Sequence, residues 1–237
     1  MENNTKKRGR PLGSTNKNNH SGIYTMAFEK HIEGTPVTRN SQQGWINWGL
    51  KNNMPNMLLD LYNESPTHHS AIHFGVQSIL GNGVDYDAMK LDSGDVVPNY
   101  YQTWDEVIKS LALDYILYGS YAIQIIKNKD NTTYSFYHMP LEKVRWSPYD
   151  EDGQITSYWI SNDWTAIGLN PPFEVPAFDM REDQTIERGT PYLYVYRQYS
   201  PTQMYYTSPC YTPAIKAIQS EIEFINYDLK HIVNGFS

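Results

Sequence analysis

The residues with the clearest potential for chemistry are His68, His69 and His73, which lie in a segment of helical spacing. His69 and His73 are four residues apart, so a helix would present both rings on one face, as metal ligands require. The residues between them are Ser-Ala-Ile, so the glutamate of the metalloprotease motif is missing, and no third ligand is evident nearby. We expect structural histidines, no metal site and no cofactor; a metal-dependent hydrolase using His69 and His73 is a competing hypothesis.

Other catalytic patterns are incomplete. Gly81-Asn82-Gly83 has two glycines after a helical pattern, whereas a dinucleotide loop needs three glycines after a strand. Gly119-Ser120 is only a fragment of the GxSxG nucleophile motif. Cys210 has no Lys, Arg or His within five residues that would activate its thiol.

The acidic runs Asp150-Glu151-Asp152 and Glu182-Asp183 are typical of solvated turns. No phosphate-binding GxxxxGK[ST] loop is present. We therefore expect no catalytic residues and a protein that is not an enzyme.

The N-terminal tail is the one segment whose motif suggests a binding mechanism. Residues 1–22 carry five basic residues and one acidic residue, a net charge of +4, whereas the remaining 215 residues carry −11. The run Lys7-Arg8-Gly9-Arg10-Pro11 resembles the centre of an AT-hook, in which two arginines enter the minor groove. Specific A·T readout, loose electrostatic contact and a solvated, disordered tail all remain open. The candidate nucleic-acid contacts are Lys6, Lys7, Arg8, Arg10 and Lys17.

Composition excludes several classes of protein. The chain has 237 residues, of which 40% are hydrophobic and 14% aromatic, so global disorder is not expected. It contains no run of about 18 apolar residues that would span a membrane, and its first 22 residues contain no apolar segment, so we expect no secretory signal. A single cysteine excludes a disulfide framework and a four-thiolate zinc site, which favours a compartment without oxidative folding.

Helical patterns precede strand patterns along the chain. Asn53-Met54-Pro55 and Ser65-Pro66 are typical helix starts, and Thr103-Trp104-Asp105-Glu106 fits a capping box. The period then falls to about two, which predicts hairpins from 120–126 with 133–138 and from 144–147 with 155–160. Residues 161–190 are expected to be a connection, and 192–199 another strand. This order predicts an α+β fold.

The longest helical pattern runs from Thr212-Pro213 to Asn234-Gly235. Its apolar residues recur at steps of three and four, a period of 3.5, so they form one stripe. This helix either lies on its own domain or packs along neighbouring subunits, and in the second case the stripe is the oligomer interface. The stripe consists of Ile215, Ile218, Ile222, Ile225, Leu229 and Ile232.

Several segments, taken together, resemble the portal proteins of tailed bacteriophages. The likeness covers about residues 44–236 and rests on the order and spacing of its parts. These are Trp45 and Trp48, the helix 53–62, the segment 65–83 ending in Ile-Leu-Gly-Asn-Gly, the stretch LDYILYGSYAIQII at 113–126, the connection 137–144, Asp152-Gly153, and Ser208-Pro209 before a helix that closes in Asn-Gly.

The resemblance implies a non-enzymatic subunit of a dodecameric ring at the capsid vertex of a virion. Residues 23–207 would be an α+β wing, and 208–237 would carry the first stem helix. The ring would form the channel for genome packaging and ejection and the head-tail connection, and it would be assembled in the host cytoplasm without a membrane. The polar side of the helix would face the channel or neighbouring subunits, and it includes Lys216, Glu221, Glu223, Asp228 and Lys230.

The same resemblance implies partners. They are other copies of the chain, the major capsid protein, packaged double-stranded DNA, and the terminase motor and head-tail connector proteins through regions beyond Ser237. By this resemblance the sequence would stop before any clip or crown, so we expect either a fragment of a longer subunit or a resemblance that is only partial. The alternative function is a DNA-binding accessory protein that acts through the tail.

Overall fold

The computed structural model describes residues 43–87, 97–128, 133–179, 186–201 and 203–235. The helices are α1 (Met54–Glu64), α2 (Pro66–Leu80), α3 (Trp104–Tyr118) and α4 (Ile215–Gly235), with short 3₁₀ helices at Leu141–Lys143 and Thr212–Ala214. The strands are β1 (Ser120–Lys127), β2 (Tyr134–Met139), β3 (Val144–Trp146), β4 (Ser157–Ile160), β5 (Phe173–Pro176) and β6 (Pro191–Arg197). This order confirms the α+β class. No described helix is both long and apolar enough to span a membrane.

The predicted helix starts are correct, although one cap differs. The Ser65 hydroxyl accepts a hydrogen bond from the His68 N–H at 3.0 Å at the start of α2. At α3, Thr103 Oγ1 accepts from the Glu106 N–H, and the Glu106 carboxylate accepts from the Thr103 N–H, which completes a capping box. Asn53 precedes α1 as expected, but its side chain makes no capping bond.

The first sheet has the order β2-β1-β6, with both pairings antiparallel. The predicted hairpin forms β1 and β2, and the late strand β6 pairs with the opposite edge of β1. Helices α2 and α3 pack together, and α3 covers this sheet. The helices approach closely at Gly75, where an added Cβ would lie 2.8 Å from Ile116 Cδ1 and would require that side chain to move.

The second sheet has the order β3-β4-β5 and corrects one expectation. The predicted hairpin forms β3 and β4, but the segment 161–190 also contains β5, which pairs with β4. This strand has four residues, and only Val175 in it is fully buried. Pro171 and Pro172 precede it and Pro176 is its last residue, so the sequence shows too short an alternation to predict a strand.

Aromatic side chains join the two ends of the described fold. The ring of Trp48 stacks on Tyr206 with centroids 4.5 Å apart, and Trp146 lies 4.0 Å from the same tyrosine. The Tyr206 hydroxyl donates to the Ile46 carbonyl at 2.5 Å and accepts from the Trp146 N–H at 3.3 Å. The segment before α4 is therefore held in the core by the residues before α1.

Candidate assembly helix and its anchorage

The segment that leads into α4 is fastened to the end of α3. The last carbonyl groups of a helix have no hydrogen-bond donor within the helix, and here two hydroxyls donate to them. Thr207 Oγ1 donates to the Tyr118 carbonyl at 2.8 Å, and the Tyr211 hydroxyl donates to the Leu117 carbonyl at 2.7 Å. Because the Thr207 hydroxyl already donates its proton to the Tyr118 carbonyl, the Ser120 hydroxyl is the donor to Thr207 Oγ1, at 2.9 Å.

Gly119 makes this junction possible. It ends α3 with φ 76° in the left-handed region, which favours glycine. A Cβ at this position would also lie 2.8 Å from Thr207 Oγ1. The glycine that stops the helix therefore also lets the segment before α4 pass close to it.

The first half of α4 packs on its own chain. Ile215, Ile218 and Ile222 are buried, and α4 contacts α1. These three side chains were expected at the oligomer interface together with the rest of the stripe. In this conformation they are covered by their own chain, and the interface role of the whole stripe stays a prediction.

A polar contact reinforces this half of the helix. Glu221 accepts hydrogen bonds from the hydroxyls of Ser65 and Thr67 at the first turn of α2, the second at 2.5 Å. These bonds hold the pKa of the Glu221 carboxyl below its ordinary value. Glu221 therefore contacts its own α2, and the role of the polar side of α4 at a channel or a neighbouring subunit stays a prediction.

The second half of α4 is exposed on two apolar faces. Leu229 and Ile232 continue the stripe and are 54% and 57% exposed, while Ile225 is partly buried. At 3.6 residues per turn, Phe224 and Tyr227 lie on the opposite face, where they are 65% and 60% exposed. Exposed apolar side chains that cluster on a surface favour contact with another molecule.

The flanks between these two faces carry opposite charges. Asp228 and Lys230 are two residues apart, so their side chains project about 200° from each other. Glu223 lies on the same flank as Lys230. The polar side expected from the sequence is thus two narrow flanks, separated by Phe224 and Tyr227.

The histidine segment divides into two parts. His68 is buried, packs edge-on against Tyr211 with centroids 4.4 Å apart, and leaves Nε2 without a hydrogen-bond partner. Burial lowers the pKa of its imidazole. His69 and His73 lie on a different face, with ring centroids 4.8 Å apart. Across the described ranges, no three His, Cys, Asp or Glu side chains gather into a metal-binding group.

The remaining predicted residues are either exposed or lie outside the residues that the structure describes. Lys6, Lys7, Arg8, Arg10 and Lys17, and the proposed disorder of 1–22, lie outside the described residues. Cys210 is an exposed free thiol. Asp150 Oδ1 accepts from the Asp152 and Gln154 N–H groups, which is the turn expected there.

Two buried charged residues, Asp114 and Arg145, were not predicted from the sequence. Asp114 accepts hydrogen bonds from His138 Nε2 at 2.8 Å and from the Leu141 N–H at 3.1 Å, so it ties α3 to the end of β2. Burial raises the pKa of its carboxyl, and the bond from His138 opposes that rise. Its signal was a single acid within the apolar pattern of α3.

Arg145 is the second, and it is completely buried. Its guanidinium donates to the carbonyls of Asn52, Glu142 and Val144 at 2.8–3.0 Å and to the Asn52 side chain. It also lies 4.8 Å from the centroid of the Trp164 ring. Burial lowers its pKa to about 10. One charge inside the strand pattern Val-Arg-Trp was the available signal.

Comparison with known proteins yields structural neighbours only. No protein-family model matches the chain. No curated protein matches it either.

Two solved assemblies contain chains of similar fold. One is a chain in the virion of a native gene transfer agent particle, with a TM-score of 0.54 and 12% identity over 75% of this chain and 44% of that one. The other is in the neck of an empty gene transfer agent particle, computed with C6 symmetry, with a TM-score of 0.57 and 14% identity over 75% and 45%. The chain thus spans less than half the length of these neighbours and shares their fold over three quarters of its own.

Proposed function

We propose that the chain is a structural, non-enzymatic subunit of a viral portal ring at the capsid vertex. The observation that carries the proposal is the second half of α4, which exposes apolar side chains on two opposite faces. Exposed apolar surface on two opposite faces favours a neighbour on each side. The ring would form the channel for genome packaging and ejection and the connection between head and tail.

The two faces favour a ring over a dimer. A two-fold dimer pairs the same patch on both subunits, so one apolar face of each α4 would stay in water. A head-to-tail contact places the Leu229 face of one copy against the Tyr227 face of the next, and repetition covers both. Closure of that repeat gives a ring.

The charged flanks would lie outside these contacts. With the Leu229 face of each copy against the Tyr227 face of the next, every Asp228 would lie on one side of the layer of α4 helices and every Lys230 on the other. Both flanks would therefore keep their charges in contact with water.

The fold supports the same proposal. Chains of similar fold occur in gene transfer agent virion and neck particles. The chain matches less than half of each, so the dodecameric state and the contacts with capsid protein, terminase motor and connector belong to the proposal. The net charge of −11 outside the tail would deny DNA phosphates a binding site, which suits a channel.

Electron microscopy of the purified chain tests the proposal. We expect rings with a central channel, with the α4 copies side by side. A chain that remains monomeric at high concentration contradicts it.

The alternative is a DNA-binding accessory protein, which rests on the Lys7–Pro11 motif alone. Deletion of residues 1–22 separates the two functions. A portal subunit still forms rings after the deletion. An accessory protein loses its DNA binding and forms no ring with or without the tail.

A further inference from the structure

His69 and His73 form a pair on α2 that the assembly function does not use. They lie one helical turn apart, with ring centroids 4.8 Å apart and ring planes inclined by 33°. His73 is exposed and His69 is partly buried, so the pair is open to solvent. No hydrogen bond joins either ring to another described residue except the one from His69 to Tyr62.

That bond determines which nitrogen of His69 is free. Its Nδ1 lies 3.2 Å from the Tyr62 carbonyl oxygen. A carbonyl only accepts, so Nδ1 carries the proton and the neutral ring presents its lone pair at Nε2. A backbone carbonyl is one of the common partners, beside carboxylates and water, for the second nitrogen of a histidine that binds a metal.

The His69 ring is also held in place. The Tyr62 ring stacks on it with centroids 4.3 Å apart and planes inclined by 23°. The backbone and ring of Tyr62 thus orient the same imidazole from two directions. A ligand oriented before binding loses less conformational entropy when the metal binds.

We propose that His69 Nε2 and one ring nitrogen of His73 chelate a single Cu²⁺, Ni²⁺ or Zn²⁺ ion. Imidazole suits these ions, and the affinity of a nitrogen site rises towards Cu²⁺. Water fills the remaining positions, because no third protein ligand lies nearby among the described residues. Catalytic zinc sites use three protein ligands, so this site differs from that of a hydrolase.

The position of the pair gives it a structural effect. It lies one to two turns after Ser65, which caps α2 and, with Thr67, binds Glu221 of α4. A bound ion links two successive turns of α2 next to this contact. It therefore stabilises the turns to which the assembly helix is fastened.

Titration of the full chain with Cu²⁺ and Ni²⁺ at neutral pH tests the site. We expect one ion per chain, an electron paramagnetic resonance spectrum of Cu²⁺ with nitrogen ligands, and no binding of Mg²⁺. The variants His69→Ala and His73→Ala should each lose about 10-fold or more in affinity. His231→Ala and the double variant His20→Ala, His31→Ala are the controls and should bind as the parent does.

Two results would overturn the site. One is the absence of binding to the parent chain, and the other is unchanged affinity in both His69→Ala and His73→Ala. Thermal unfolding provides a second readout, because a ligand of the folded state raises Tm. Ni²⁺ should raise the Tm of the parent and not that of His73→Ala; an equal rise in both contradicts the proposal. Neither readout depends on ring formation.

Discussion

The two halves of α4 have the same apolar period but different surroundings. Ile215, Ile218 and Ile222 are buried against their own chain, whereas Leu229 and Ile232 remain more than half exposed. The sequence stripe continues unchanged, so its regularity does not distinguish a helix on its own domain from one in an assembly. The difference lies in Phe224 and Tyr227, which make the second half apolar on both sides. One helix thus combines an anchor with an assembly surface.

A matched pair of substitutions tests this division with the largest expected effect. Ile215→Ala should reduce the free energy of unfolding by about 3 kcal/mol, because it leaves a cavity in the core. Ile232→Ala removes the same atoms from an exposed site and should change it by no more than about 0.5 kcal/mol. Urea unfolding at concentrations where the chain is monomeric measures both. Similar losses in the two variants would show that the halves do not differ.

A substitution at the junction tests the anchor itself. Gly119→Ala should cost about 2 kcal/mol, because alanine is strained at φ 76° and its Cβ approaches Thr207 Oγ1. Gly153→Ala is the control, since that glycine has φ 73° but no atom within 4 Å of an added Cβ. Urea unfolding of both variants gives the comparison. Equal losses of unfolding free energy in the two variants would mean that the contact with Thr207 adds nothing to the cost of Gly119→Ala.

The smallest effect is expected from the carboxylate of Glu221. Its pKa is lower in the folded chain than the ordinary 4.5, so the unfolded chain binds more protons as the solution becomes acidic. The stability it supplies is fully present above pH 4.5 and is lost as the pH falls through the lowered folded pKa. Glu221→Gln should remove this dependence.

Thermal unfolding between pH 7 and pH 3 measures this pH dependence of stability. Glu223→Gln is the control, because Glu223 lies on the same helix without a hydrogen-bond partner among the described residues. An identical pH profile for Glu221→Gln and the parent would contradict a role for the carboxylate in holding α4.

Local signals in the sequence predicted much of the fold. The Ser65 cap and the Thr103 capping box depend on residues within one turn of each other, so their types and spacing suffice. The hairpins follow from alternation on either side of a turn. These features needed no knowledge of distant contacts.

Features that depend on distant contacts could not be predicted in this way. Strand β5 is defined by its pairing with β4, and the charges of Asp114 and Arg145 are satisfied by groups from other segments. The division of α4 depends on where its own domain stops covering it. Phe224 and Tyr227 are visible in the sequence, but only their exposure shows that a second face needs a partner.

The central claim is that neighbouring copies cover the second half of α4. Light scattering of the parent chain and of the double variant Leu229→Asp, Ile232→Asp measures it most directly. We predict that the parent forms closed oligomers and that the double variant is a monomer. The Tm of the double variant should equal that of the parent at a concentration low enough to dissociate the oligomer. A double variant that assembles as the parent does, or a parent that stays monomeric at high concentration, would contradict the claim.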